Sequence, residues 1–228
     1  MTDTDTDLAR WEPCPVPSHA PLAGRFVSLE PLDAARHAGE LWTALHGPHA
    51  DPQQWQYMAY GPFAERDAFE AWLAERAAGR DPLFFAVREQ AGGRVLGQLA
   101  LMRITPAHGC IEIGHVLFGP ALQRTPGASE AVYLLMRLVF ALGYRRLEWK
   151  CDAQNARSLR AAERLGFVAE GLFRQHMVVK GRSRDTAWHA LLDYEWPARR
   201  AALERWLAAD NFDAEGRQRR RLEELRRE

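Results

Sequence analysis

The segment QRTPGAS at residues 123–129 contains residue types that bind small anions. It follows an apolar stretch, residues 110–118, and precedes apolar positions that repeat at helical spacing. Thr125 is a good N-cap, and Pro126 suits the first helical position. A helix N-terminus has free N–H groups and the positive end of the helix dipole, and small residues let a ligand approach the backbone. The segment therefore predicts a diphosphate cradle, and a simple tight turn is the other interpretation.

A second polar motif, Asn155-x-x-Ser158, lies between another strand-like stretch, residues 145–150, and a helix that ends in Leu165-Gly166-Phe167. The order of strand, Q-x-x-G-x-A turn, helix, strand, N-x-x-S, helix and L-G-F resembles the GNAT superfamily of acetyl-CoA-dependent N-acetyltransferases. Residues 123–131 and the N-x-x-S motif are most similar to the subgroup that includes the ribosomal-protein N-terminal acetyltransferases. The resemblance covers residues 21–196.

The resemblance implies three sets of contacts with acetyl-CoA. Backbone N–H groups of the cradle would bind the diphosphate, the preceding strand would pair with the pantetheine arm, and an amide would hold that arm from the other side. The implied residues are Gln123, Arg124, Gly127, Ala128 and Ser129 in the cradle, Val116, Leu117 and Phe118 in the strand, and the amide of Asn155. Pro126 replaces the family's usual central glycine, so one N–H donor is missing.

Acyl transfer from a thioester also requires a proton for the departing thiolate. Many members of the superfamily place a tyrosine where this sequence has Ala162. In the subgroup with N-x-x-S the serine is proposed for this role, so the resemblance implies Ser158 as the acid. The alternative is that Ser158 is only a hydroxyl in the first turn of a helix.

A general base for the amine is predicted at Glu112, a carboxylate in an otherwise apolar strand. Strand alternation places its side chain opposite its apolar neighbours, so it can also point to solvent. His115 and His176 are the alternatives. Where the resembled ribosomal-protein enzymes carry an acidic group this sequence has Met177, which indicates a different acceptor.

A sheet and several helices must position these residues. Apolar patterns predict antiparallel strands first and, after residues 145–150, a strand-helix-strand order. The expected fold class is α/β (α+β), with a mixed, mostly antiparallel sheet of about seven strands and helices on both faces. The resemblance implies that this sheet is splayed in the middle. An aromatic cluster, Trp55, Tyr57, Tyr60 and Phe63, either lines a substrate pocket or fills the core.

One main domain is expected from 228 residues with 47% hydrophobic composition. Residues 1–20 predict a flexible or surface-draped arm, residues 21–196 the acetyltransferase domain, and residues 197–228 a helical C-terminal extension. The charged end, residues 214–228, predicts a solvated helix with Arg and Glu paired one turn apart. Contact of this end with ribosomal RNA is the less favoured alternative.

The 30 basic and 30 acidic side chains cancel, which argues against nucleic acid as a direct partner. No apolar run has the length of a membrane span, and three scattered cysteines fit reduced thiols in a cytoplasmic protein. His46-x-x-His49 with Asp51 resembles a set of metal ligands, but it lacks a partner cluster. A surface loop without a metal is the favoured interpretation.

Two functions follow from these observations. The first is an N-acetyltransferase that uses acetyl-CoA as co-substrate and acts directly on a primary amine of a small molecule or a peptide N-terminus. Cys110 and Cys151 have no histidine at a spacing that would generate a thiolate, which argues against a covalent intermediate. The second is a catalytically inactive acyl-CoA-binding or interaction protein with the same fold. A homodimer is a further expectation from the resemblance.

Overall fold

The central sheet of this protein has eight strands. In the computed structural model, which describes residues 8–227, the strands are β1 (Leu22–Ala23), β2 (Val27–Pro31), β3 (Leu83–Glu89), β4 (Val95–Thr105), β5 (Cys110–Phe118), β6 (Arg146–Asp152), β7 (Val168–Val179) and β8 (Arg182–Leu192). They lie in the order β1-β2-β3-β4-β5-β6-β8-β7. Neighbours are antiparallel except β5 and β6, which are parallel. The predicted fold class is confirmed, and the additional strand is β1, with 2 residues.

The helices are α1 (Ala34–His46), α2 (Arg66–Ala78), α3 (Pro126–Ala141), α4 (Ala156–Leu165), α5 (Trp196–Leu207) and α6 (Leu222–Leu225). Side chains cap three of them, with Asp33 before α1, Thr125 before α3 and Asn155 before α4. Each cap accepts a backbone N–H that has no partner inside its helix, and this fixes where the helix begins. No helix between residues 8 and 227 combines the length and apolar character needed to cross a membrane.

The helices pack on the two faces of the sheet. On the first face, α1 and α2 enclose a core around Leu41, Phe69 and Phe84. On the second face, α3, α4 and α5 enclose a larger core that includes Leu135 and Trp206. Removal of this apolar surface from water on both sides stabilises the sheet and fixes the strand ends that form the candidate site.

The aromatic residues between α1 and α2 divide between their two expected roles. Trp55 is 1% exposed in the core of the first face, and Phe63 and Tyr60 pack against that core. The Tyr57 hydroxyl donates to the Gln154 carbonyl oxygen at 3.0 Å. Core filling therefore accounts for Trp55 and Phe63, whereas Tyr57 reaches the other half of the sheet.

The N-terminal segment is docked on the domain from Trp11 onward. Trp11 Nε1 donates to the Ala107 carbonyl oxygen at 2.9 Å, and the buried Cys14 thiol donates to that of Gly143 at 3.3 Å. The expectation of a flexible arm is corrected for these residues, since the chain is draped over the surface. Residues 1–7 of the expected arm lie outside the described part of the chain.

The C-terminal segment has one short helix, α6, in place of the long helix expected over residues 214–228. The buried Asn211 side chain accepts the N–H of Arg220 at 3.0 Å, which holds the intervening chain in a loop. Leu222 and Leu225 are buried in the core of the second face. The prediction of a helix over residues 214–228 was wrong. Burial of these two leucines determines the path of the chain, whereas the prediction relied on Arg–Glu pairing.

Candidate active site

The opening between β5 and β6 is the centre of the candidate site. These strands share parallel register at Cys110–Arg146, Ile111–Leu147 and Glu112–Glu148. Beyond Glu112 they have no further paired positions in the described chain, so β5 continues to Phe118 along an open cleft. The predicted splay of the sheet is confirmed, and a strand edge without a neighbour offers N–H and C=O groups to a ligand.

A β-bulge shapes the open part of β5. The register between β4 and β5 shifts between Gln98 and Ala100, and His115 has a φ of +52°. Leu117 packs into the core of the first face, while Val116 and Phe118 pack toward the second. These three residues, expected to line the pantetheine arm, therefore border the cleft through their backbone. The Phe118 carbonyl oxygen already accepts a hydrogen bond from Gln123 Nε2 at 2.7 Å.

The cradle, residues 123–129, forms the capped start of α3. Thr125 Oγ1 accepts the N–H of Ala128 at 3.3 Å, and the N–H of Gln123 donates to the Gly119 carbonyl oxygen at 3.2 Å. Arg124 is exposed with a φ of +61°. Because α3 begins at Pro126, the missing N–H costs no helical hydrogen bond. Two of the expected diphosphate donors thus have partners within the protein.

Two contacts fix the start of α3 against β2. A Cβ atom on Gly127 would lie 2.8 Å from Val27 Cγ1, so the close packing of helix and strand requires a glycine here. The buried Glu130 carboxylate accepts the N–H groups of Arg25, Phe26 and Val27 at 2.8, 2.6 and 2.8 Å. The Cα atom of Gly127 therefore packs against β2, and this contact explains the absence of a side chain at this position.

Arg164 places a positive charge beside the first turn of α3. Its Nη1 donates to Ser129 Oγ at 2.8 Å, and its guanidinium lies 4.6 Å from the centroid of the Trp206 ring. Its Nε is 3.7 Å from Glu223. Burial lowers the pKa of Arg164 from its ordinary value. Sequence reasoning missed this residue, because nothing in its spacing from the cradle indicates that the two meet.

The start of α4 borders the cleft from the β6 side. Asn155 Oδ1 accepts the N–H of Ser158 at 3.1 Å, so the amide caps the helix and its Nδ2 has no partner among residues 8–227. Ser158 Oγ accepts a hydrogen bond from Trp149 Nε1 at 2.9 Å. The hydroxyl proton of Ser158 is left to donate elsewhere. Burial raises the pKa of the neighbouring Cys151 thiol, and a hydrogen bond from Ser158 opposes that shift.

Glu112 lies at the closed end of the cleft in a buried ion-pair network. Its Oε2 is 3.0 Å from Lys150 Nζ and 2.6 Å from Arg103 Nη1, and its side chain is 5% exposed. Lys150 also pairs with Glu148 at 2.6 Å and lies 3.9 Å from the centroid of the Trp188 ring. The alternative that Glu112 points to solvent was wrong. The carboxylate of Glu112 is therefore held between two cationic side chains.

His115 lies in the open part of β5, on the first face. Its Nδ1 is 3.1 Å from the Tyr60 hydroxyl, and its ring packs 4.8 Å from that of Phe84. Burial, with smaller contributions from Arg76 and Arg103, lowers the pKa of His115 to about 4. Burial also raises the pKa of Tyr60. Both groups are therefore neutral at pH 7.

Two other histidines have structural partners. His176 Nδ1 is 2.9 Å from Thr186 Oγ1. The His46 ring stacks on Trp42 with centroids 4.2 Å apart, and its Nε2 accepts the N–H of Phe63 at 3.3 Å. Within residues 8–227 no group of three His, Cys, Asp or Glu side chains is arranged to hold a metal ion. His46 belongs to the aromatic core.

Residues 51–57, here called the strap, connect the two halves of the splayed sheet. Besides the hydrogen bond from Tyr57 to Gln154, Lys180 Nζ donates to the Trp55 carbonyl oxygen at 2.8 Å. Asp51 pairs with Arg157 at 3.4 Å. The strap therefore crosses from α1 to the end of β6 and to the β7–β8 hairpin.

Residues 27–168 match the profile of the Acetyltransferase (GNAT) domain. The chain belongs to this family of acetyltransferases, whose members use acetyl-CoA. The crystal structure of a GCN5-related N-acetyltransferase from Brucella melitensis is 50% identical, with a TM-score of 0.95 and coverage of 97% of this chain and 100% of that chain.

Two further relatives are less similar to this chain. "Uncharacterized N-acetyltransferase p20" from Bacillus licheniformis is 30% identical over 152 residues, which are 64% of this chain and 84% of that protein. The structure of a putative ribosomal-protein-serine acetyltransferase from Vibrio cholerae covers 75% of this chain and 97% of its own, with a TM-score of 0.63 and 20% identity. The last likeness supports the shared fold, and the ribosomal-protein subgroup stays a prediction.

Proposed function

We propose that this protein transfers an acetyl group from acetyl-CoA directly to a primary amine of a small molecule or a peptide N-terminus. The observation that carries the proposal is the open cleft between β5 and β6. It is bordered by the capped start of α3 on one side and by Asn155 and Ser158 on the other.

The residues around the cleft fit the coenzyme. The N–H groups of Arg124 and Gly127, at a helix N-terminus, are available for a diphosphate, and the Arg124 guanidinium adds charge. The open edge of β5 at residues 116–118 suits an amide-containing arm. Asn155 Nδ2, which has no partner among residues 8–227, would donate a hydrogen bond to the same arm. Bound acetyl-CoA supplies the thioester.

Ser158 is the proposed proton donor for the departing thiolate. The N–H of Trp149 fixes the position of its oxygen and polarises its O–H bond, which improves it as a donor. Direct transfer is favoured over a covalent intermediate because burial raises the pKa of the Cys110 and Cys151 thiols.

His115, and not Glu112, is the better-placed proton acceptor. Glu112 lies where β5 and β6 are still paired, and its carboxylate is committed to Arg103 and Lys150. His115 lies in the open part of the cleft and is neutral at pH 7. Its low pKa makes it a weak base, so the amine is expected to react from its own neutral fraction, with His115 taking the proton as the bond forms.

Isothermal titration with acetyl-CoA and with coenzyme A, followed by thiol release on a panel of amines, tests the proposal. We expect binding and release, and a decrease of about 10²-fold in kcat for Ser158→Ala with little change in coenzyme affinity. Ser18→Ala, an exposed serine on the N-terminal segment, is the control. Binding without release on any amine supports the inactive acyl-CoA-binding alternative, and no binding contradicts both functions.

A further inference from the structure

A hollow of about 920 Å³ lies between the end of β6 and the β7–β8 hairpin. This volume is in the range of ligand sites, roughly 300–1,000 Å³. One lining residue of the hollow, Gln154, directly precedes Asn155 at the cleft and accepts the hydrogen bond of Tyr57 from the strap. The lining residues are Ala153, Gln154, Arg174, Gln175, Ser183 and Asp185.

A bulge in β7 directs side chains into this hollow. The register between β7 and β8 shifts between Phe173 and Met177, and Gln175 has a φ of +49°. The Gln175 N–H donates to Asp185 Oδ1 at 2.6 Å, so this carboxylate holds the bulge. Bulges commonly re-aim side chains at binding sites, and here the bulge contributes Arg174 to the lining.

The β7–β8 hairpin carries an excess of positive charge near the hollow, because Arg174, Arg182 and Arg184 outnumber Asp185, the carboxylate that lines it. Arg174 and Arg182 have no hydrogen bond or ion pair from their side chains within the described chain. Arg184 donates to the Thr186 hydroxyl at 3.2 Å, which carries no charge. The chain as a whole has equal numbers of basic and acidic residues. Uncompensated guanidinium groups on one hairpin attract anions to it.

We propose that the acceptor amine belongs to an acidic peptide segment, whose carboxylates are bound by Arg174 in the hollow and Arg182 on the hairpin. This inference rests on the proposed acetyl transfer. Guanidinium groups bind carboxylates through two parallel hydrogen bonds. The neutral side chains of Gln154, Gln175 and Ser183 supply donors and acceptors for peptide groups. A single-stranded nucleic acid fits less well, since the lining has no aromatic ring on which bases stack.

Two peptides with the same N-terminal residue test the inference, one with Asp and Glu at the following positions and one with Asn and Gln. Their kcat/KM values are measured by thiol release with acetyl-CoA. We expect the acidic peptide to be preferred about tenfold at low salt and less at about 0.5 M salt, where charges are screened. Arg174→Gln and Arg182→Gln should each reduce this preference about threefold or more. Arg80→Gln, an exposed arginine beyond α2, should leave it unchanged.

Calorimetry with acetyl-CoA on the same samples separates the two ways in which the experiment can fail. Absence of binding, or binding without release on any acceptor, contradicts the proposed function itself. Release with equal kcat/KM for both peptides, or a preference that survives in Arg174→Gln and Arg182→Gln, overturns the acidic-peptide inference alone. Stronger inhibition by a short single-stranded RNA than by the non-reacting, N-terminally acetylated acidic peptide also overturns it, because the hairpin would then favour phosphates.

Discussion

Trp149 determines what the Ser158 hydroxyl can do. Its indole N–H occupies an acceptor position of the serine oxygen at 2.9 Å and so directs the hydroxyl proton away from the ring. Trp149→Phe keeps the buried ring and removes the donor. A neutral hydrogen bond contributes about 0.5–1.5 kcal/mol, so kcat should fall about two- to tenfold with the KM for acetyl-CoA little changed.

The matched control for this substitution is Trp11→Phe. It removes an indole donor to the Ala107 carbonyl oxygen, at a distance from the cleft, and should leave kcat unchanged. In Ser158→Ala, Trp149 has no hydroxyl to orient. The double variant Trp149→Phe/Ser158→Ala should therefore have the same kcat as Ser158→Ala. Additive losses in the double variant would mean that Trp149 acts independently of the serine.

His115 couples the stability of the protein to pH. Its pKa is about 4 in the folded chain, against an ordinary value of 6.5. Between these values the unfolded chain binds a proton that the folded chain excludes, so stability is full above pH 6.5 and falls as the pH decreases toward 4. The shift corresponds to about 3 kcal/mol.

The free energy of unfolding of His115→Gln, measured by urea denaturation between pH 7 and 4, should therefore decrease less steeply than that of the parent protein. His49→Gln, on an exposed loop, should retain the parent slope. An unchanged slope in His115→Gln would show that His115 does not exclude the proton. His46 and His189, whose pKa values are also lowered by burial, contribute equally to both proteins and cancel in the comparison.

The contact of α3 with β2 can be tested at the scale of elements. Gly127→Ala places a methyl group 2.8 Å from Val27 Cγ1, and such overpacking costs about 1–3 kcal/mol. Truncation of Val27 makes room for the new methyl group, so the double variant Val27→Ala/Gly127→Ala should recover part of that loss. The stability losses of the two single variants should therefore not be additive. Gly171→Ala, where a Cβ atom meets nothing within 4 Å, is the control and should change stability little.

Thermal or urea unfolding of these variants gives the required energies. If the stability losses of Val27→Ala and Gly127→Ala are additive, the two residues do not contact each other closely. The glycine would then have to be explained by the approach of a ligand. Coenzyme affinity of Gly127→Ala, measured in parallel, distinguishes these cases, because packing predicts a stability loss that appears without ligand.

Local signals in the sequence determined much of this architecture. Thr125 caps α3 and Asn155 caps α4, and each residue has the hydrogen-bonding side chain that makes a helix start recognisable. The ion pair of Glu112 with Lys150 was not predictable in the same way. It depends on the parallel register of β5 and β6, which is fixed by packing of residues distant in sequence.

The same distinction explains the contacts of the cradle. Its composition indicated an anion site, but the partners of Ser129 and of the Gln123 N–H arise from the folded chain around it. Arg164 of α4 reaches Ser129 of α3 because both helices pack on the same face of the sheet. The spacing of the two residues in the sequence does not predict this contact. The helix caps of this site could therefore be predicted from the sequence. The charged groups around it could not, because residues distant in sequence bring them together.

At the scale of the whole molecule, the C-terminal segment belongs to the acetyltransferase domain. Leu222 is fully buried in the core of the second face, and Glu223 approaches Arg164, which in turn holds Ser129 in the first turn of α3. Leu222→Ala should therefore destabilise the protein by about 2–5 kcal/mol, since a buried leucine leaves a cavity when truncated. It should also weaken coenzyme binding, because Arg164 loses a neighbour that positions it.

Urea unfolding followed by both tryptophan fluorescence and circular dichroism checks this prediction. Because the segment and the domain share one core, both signals should report a single transition that moves to lower urea without a change in slope. Glu215→Ala, an exposed residue of the same segment that pairs with Arg217, should shift the midpoint little. An early, separate transition in the parent protein, or an unchanged midpoint in Leu222→Ala, would mean that the C-terminal segment is an independent appendage, and the predicted link from it to the coenzyme site would then be lost.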